Sequence, residues 1–225
     1  MICHRARFLS ILASLLVLLL ADAIAELCLI GTTVAWLSGV EDHHFPLHVA
    51  NRTVPVQALP TSLSVAGGHL ANAVAGSLIV LVSGAGLLLM YRRALQGCNV
   101  AECPLWFVWQ ILNACTAVLA IVALGLNVSA IAKPSEPQPS DEMVLNRSLA
   151  GLPLTGDWTL YGWLCWLLSQ PLASDHHRES VRTRVLVVQA FTWNLIPLVL
   201  LVLLVLLFSL KVRRAKQPQD PAVSF

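Results

Sequence analysis

Charge is scarce in this sequence. Only 12% of its 225 residues are Asp, Glu, Lys or Arg, and 57% are hydrophobic; a soluble domain carries about 25% charged residues. That balance excludes a water-soluble globular enzyme. An excess of one sign is also missing, since 14 Lys+Arg stand against 12 Asp+Glu for a net +2. So little basic surface excludes the phosphate neutralisation that drives nucleic-acid binding. Catalytic patterns are lacking too: there is no Ser/His/Asp order, glycine-rich phosphate loop, H-E-x-x-H or supported carboxylate pair. No pattern points to a cofactor.

What is present is apolar length. Four blocks, about 8–40, 70–90, 105–132 and 185–210, reach the roughly 20 residues a helix needs to cross a bilayer. The expected fold is an all-α membrane protein, a single four-span domain over residues 1–225. The first block also permits a cleaved signal peptide, with a basic stretch at 1–7, an apolar run at 8–21 and small residues around 21–25. Apolar character resumes after Glu26, so a retained long helix is the simpler reading.

Basic residues set the expected orientation, because Lys and Arg in short loops stay cytoplasmic. Arg5 and Arg7, Arg92 and Arg93, and Lys211, Arg213, Arg214 and Lys216 are eight of the 14, all beside span ends on one side. Both termini are expected in the cytoplasm, with 211–225 as a tail and two outer loops at about 41–69 and 133–184. The sequons at Asn51 and Asn146 fall in those outer loops and are the expected glycosylation sites; Asn127, near the end of the third span, is less suitable.

Within the loops, Pro46, Pro55 and Pro60 favour extended backbone. The stretch KPSEPQPSDE makes 133–150 an expected disordered linker. Residues 157–172, rich in Trp, read as an interfacial helix, with a re-entrant or fifth span as the alternative.

Among the cysteines, Cys3, Cys98 and Cys103 lie beside the membrane on the cytoplasmic side and are either palmitoylated or unmodified, while Cys28 could pair with Cys165 in the oxidising outer space. No His pair accompanies Cys98 and Cys103, and no metal site is expected. His43, His44 and His48 surround Pro46, which opposes a helical metal site; His176 and His177 sit in the hydrophilic stretch SDHHRES.

Asp22 and Glu26 are the only acids inside a block. Spaced i, i+4, they share one helix face. They serve either as proton donors or cation ligands, or as a polar packing face with Asn113 or Asn194 as partners. In the second block Ala71, Ala75 and Ser83 form one stripe of small residues, with Gly76 and Gly84 beside it, the spacing that lets helices approach closely in lipid.

Four spans, cytoplasmic ends, a short 91–104 turn, two outer loops and a Trp-rich segment before the last helix resemble the claudin-type tetraspan group and the PalI-like and other small four-span proteins of fungi. The resemblance is architectural and covers the whole chain. The claudin W…GLW…C…C signature is absent, because the first outer loop has neither Trp nor Cys, so no functional residue carries over.

The function expected from these features is non-enzymatic. The chain acts by lateral association as a scaffold, sensor or accessory subunit, in the secretory pathway or plasma membrane, with the bilayer and a membrane-protein partner or second copy as its contacts. The alternative is a membrane-embedded accessory or enzyme of a lipid or apolar-metabolite pathway, or a small transporter subunit, using Asp22 and Glu26.

Overall fold

The structure, a computed structural model, describes residues 2–40, 44–49, 52–57, 63–64, 66–96, 104–132, 140–150 and 158–214. Of these, 87% are helical. Four helices dominate: α1 (Ile2–Val40), α2 (Ala66–Leu95), α3 (Pro104–Ala132) and α6 (Asp175–Arg214). Each is long and apolar enough to cross a membrane, over candidate spans of 33, 26, 26 and 38 residues. α1 runs unbroken through the small residues at 21–25.

α3 shows most directly which solvent these helices suit. Its exposed side includes Leu105, Phe107, Val108, Ile111, Leu112, Val118, Ile121, Val122, Leu126 and Val128, with the smaller Cys115, Gly125 and Ser129 among them. Its buried side includes Gln110, Asn113, Thr116 and Asn127, all at 5% exposure or less. A helix in water segregates the other way. In hydrocarbon, bulky aliphatic side chains face outward, and polar groups turn inward to find hydrogen bonds.

The contacts divide the chain into two compact units. The all-helical unit comprises Met1–Glu26, Val74–Val122 and Leu195–Phe225; the mixed unit comprises Leu27–Ala73 and Ala123–Asn194.

In the all-helical unit, buried positions recur at alternating steps of three and four. On α1 they are Leu12, Leu16, Leu19, Ala23 and Glu26; on α6, Leu195, Leu198, Val202, Val205, Ser209 and Val212, with Val199 buried beside them. This 3–4 alternation is the seam of left-handed helix packing. On α2, Gly86 allows a close approach: a Cβ there would lie 2.7 Å from the indole of Trp109, whose Nε1 donates to the Val82 carbonyl at 2.7 Å. A bare methylene is all that fits under that ring. Gly84, expected to pack, faces open space, and a Cβ on it would meet nothing within 4 Å. The stripe is therefore corrected to Ala75, Gly76, Ile79, Ser83 and Gly86, which are buried, while Ala71 is half-buried.

The mixed unit holds the strands. β1 (His44–Val49) and β2 (Arg52–Gln57) form an antiparallel hairpin pairing Phe45 with Val56 and Leu47 with Val54. Alternation puts these four inside and leaves His44, His48 and Thr53 outside. The other edge of β1 meets the chain after the Trp-rich helix: His48 N donates to the Pro171 carbonyl and Ala173 N to the Pro46 carbonyl, each at 2.9 Å. β3 (Leu63–Ser64) pairs in parallel with β4 (Trp158–Thr159).

Residues 141–149, expected within a disordered linker, instead form helix α4 (Asp141–Leu149). Ser140 caps it, its Oγ accepting from Met143 N at 3.3 Å. Asp141 and Glu142 stand in its first turn, where negative charge favours the helix dipole. Val144 is 2% exposed in the core, and that burial supplies what the polar composition concealed.

The Trp-rich segment forms α5 (Leu160–Ser169), capped by Thr159. Ten residues rise about 15 Å, half the hydrocarbon thickness, so α5 is too short for a fifth span. Its tryptophans are not spread along a surface. Trp158, Trp163 and Trp166 are at most 4% exposed and interlock, with centroids 5.2 Å apart for 158–163, 4.8 Å for 163–166 and 5.7 Å for 158–166. The hairpin, α4 and Val181, Val185, Val188 and Phe191 of α6 complete this core. An apolar helix with partners available on several sides buries its indoles among them.

Candidate functional site

Three groups of residues stand out from packing. The first is the polar interior of the all-helical unit. On α1, Glu26 is fully buried and Asp22, one turn earlier, is half-buried, so the i, i+4 pair does share the inward side of its helix. Ser83, Gln110, Asn113 and Ser209 are also at 5% exposure or less in this unit. Gln110 Nε2 donates to the Ser209 carbonyl at 3.0 Å and its Oγ at 3.3 Å. Gln110 Oε1, Asn113 Nδ2 and Ser83 Oγ have no hydrogen-bond partner. Buried polar atoms of this kind are rare and costly. Among the described residues, no three His, Cys, Asp or Glu gather as a metal site.

The second group is on the uncovered side of α1. This helix is the least covered of the four, with 22% of its most apolar window buried against 33%, 33% and 39% for α2, α3 and α6. Ser14, Ala21, Cys28 and Ala35 are exposed at seven-residue intervals, with Ala25 and Gly39 four residues beyond two of them, and they alternate with exposed Ile11, Val17, Leu18, Ile24 and Val34. A Cβ on Gly31 or Gly39 would meet nothing within 4 Å. The sequence carried this signal as two small-x-x-x-small pairs, Ala21/Ala25 and Ala35/Gly39.

The third group joins α1 and α6 within the mixed unit. Arg184 Nη1 donates to the Thr32 carbonyl at 3.2 Å, and its guanidinium lies 5.7 Å from the centroid of the Trp36 ring. Trp36 Nε1 donates to Ser180 Oγ at 3.2 Å. His176, Glu179, Ser180, Thr183 and Arg184 line a shallow groove of about 250 Å³. Arg184 immediately precedes the apolar run at 185, and Trp36 stands four residues before the end of α1; basic and aromatic residues at such junctions are interface anchors.

The other expected sites are dispersed. Asn146 is exposed on α4, and Asn51 lies outside the described residues. Asn127 is 4% exposed on α3, its Nδ2 donating to Asn72 Oδ1 and to the Ala123 carbonyl, both at 2.7 Å; that amide is committed to packing. Cys3 falls in α1, while Cys98 and Cys103 lie outside the described residues. Cys28 and Cys165 are free thiols. His44 and His48 stand on a strand, and His48 Nδ1 is 3.1 Å from Thr53 Oγ1. His177 meets the Phe45 ring edge-on at 5.5 Å.

Next to Cys165, Tyr161 accepts a hydrogen bond from Gln189 Nε2 at 2.8 Å. That bond favours the phenolate, but the Cys165 thiol and burial outweigh it and hold the phenol above its ordinary pKa.

Four apolar helices of spanning length define the class as a multi-pass membrane protein. No family model, curated protein or solved structure matches the chain.

Proposed function

We propose that the chain acts without catalysis, by lateral association in the membrane through the uncovered side of α1. The observation that supports this is the seven-residue repeat of Ser14, Ala21, Cys28 and Ala35 on that side. Lipid alone is well matched by bulky aliphatic side chains, as on α3. Small residues gain little from lipid but let a second helix backbone approach closely.

The rest of the reading follows the basic residues: both termini cytoplasmic, the mixed unit and the sequons Asn51 and Asn146 on the opposite side, in the secretory pathway or plasma membrane. Glycosidase treatment of wild type and Asn146→Gln tests that orientation. A mobility shift lost with each sequon supports it, and an unglycosylated chain on that route sinks it.

The association test is a gentle-detergent co-purification of the full chain carrying two different tags, with partners identified in the same eluate. Ala21→Leu with Ala25→Leu should lower the recovered second copy or membrane partner by about tenfold, equivalent to about 1.4 kcal/mol. Val118→Leu with Val122→Leu on the bulky side of α3 should leave recovery unchanged. A monodisperse wild type, or equal losses in both variants, would overturn the proposal.

A second reading, a small transporter subunit using Asp22 and Glu26, is favoured by the buried polar interior of the all-helical unit. It requires Glu26→Gln to abolish proton or cation flux in proteoliposomes while protein level stays constant; loss of protein level instead favours a packing role.

A further inference from the structure

We propose that the groove beside Trp36 and Arg184 binds the headgroup of a zwitterionic phospholipid with a primary amine, such as phosphatidylethanolamine. The groove volume of about 250 Å³ is below the roughly 300 Å³ at which pockets for drug-sized ligands begin, which suits a headgroup rather than a whole lipid.

The chemistry of the walls distinguishes the two ends of such a headgroup. Arg184 is held by the Thr32 carbonyl at 3.2 Å and by the face of Trp36. One backbone hydrogen bond leaves most of its five N–H donors for a phosphate, the geometry guanidinium groups favour. Glu179, about one and a half turns earlier, is the carboxylate in the groove. Its only ion pair among the described residues is a long 3.9 Å contact with exposed Arg182, so it can receive an ammonium. Thr183 stands between them.

Position along the helix supplies the second argument. The groove ends where the apolar run of α6 begins, and the same side of α6 continues as Leu186, Ala190 and Trp193, with Leu186 57% and Trp193 64% exposed. An acyl chain leaving the groove would follow that apolar strip. A free anion would gain nothing from it, and for that reason the assignment is to a lipid.

The test titrates the purified full-length chain with dioleoylphosphatidylethanolamine, dioleoylphosphatidylglycerol or inorganic phosphate and counts adducts by native mass spectrometry. One phosphatidylethanolamine should bind saturably per chain. Arg184→Gln should weaken both lipids by about tenfold, the scale of a lost charge-assisted contact. Glu179→Gln should reduce phosphatidylethanolamine to the affinity of phosphatidylglycerol and leave the latter unchanged. Because Glu179 is exposed, that variant decides the matter even if Arg184→Gln disturbs folding. Equal affinities in all three proteins would overturn the site, and displacement of lipid by inorganic phosphate would overturn the lipid assignment.

Discussion

The two units build interiors of different composition from one chain. The mixed unit encloses three interlocked tryptophans, a β-hairpin face and aliphatic residues of α4, α5 and α6, with Thr33, Asn72, Asn127 and Thr192 also buried. The all-helical unit encloses Glu26, Ser83, Gln110, Asn113, Thr116 and Ser209 among small and aliphatic residues. Where water is the alternative, apolar burial drives packing. Where lipid is the alternative, apolar burial gains little, and close contact and polar pairing must hold helices together.

The largest effect that tests this contrast is Trp163→Ala in the mixed unit. Truncating a fully buried indole at the centre of the cluster should cost about 3–5 kcal/mol and remove the near-ultraviolet circular dichroism of the stacked tryptophans. Membrane extraction behaviour should stay that of wild type, because Trp163 lies on α5, outside the four long helices. Loss of membrane integration would mean that the units do not fold on separate principles.

Next comes Gly86→Ala, which places a methyl 2.7 Å from the Trp109 ring. Overpacking of this kind costs about 1–3 kcal/mol, whereas Gly84→Ala, facing open space, should be neutral. Thermal unfolding in detergent compares the pair, and equal behaviour would refute close packing at Gly86.

Asn127→Leu removes the buried amide contact with Asn72. Interhelical hydrogen bonds in membranes are worth about 0.6–2 kcal/mol, so a loss near 1 kcal/mol is expected in unfolding by a denaturing detergent. Smallest is Arg182→Ala: its 3.9 Å contact with Glu179 joins side chains 65% and 70% exposed, and stability should change by less than about 0.5 kcal/mol.

Much of the fold was legible because it depends on local composition. The four apolar blocks became four long helices, although α6 begins at Asp175 rather than near 185, its first turns being recruited by Val181. The prolines of the first loop correctly indicated extended chain, and β1 and β2 lie there. The fate of the Trp-rich segment was not legible. Amphipathic rings suit either a headgroup layer or a core, and only the hairpin and α6 arriving from elsewhere in the chain decided for the core. Of the candidate site residues, the inward placement of Glu26 followed from helical spacing with Asp22. The Arg184–Trp36–Ser180 arrangement did not, since it joins positions 144 residues or more apart.

By itself the sequence determined the class of protein, because a backbone in hydrocarbon must satisfy its own hydrogen bonds, and a run of about 20 apolar residues is enough to require a helix. Tertiary structure alone decided which face of each helix is covered: that Gly86 and not Gly84 meets an indole, that the Asn127 amide is spent on Asn72, and that the small residues of α1 are left uncovered. Helical periodicity marks the residues that share a face, but the partner comes from distant parts of the chain, and composition carries no record of which arrives.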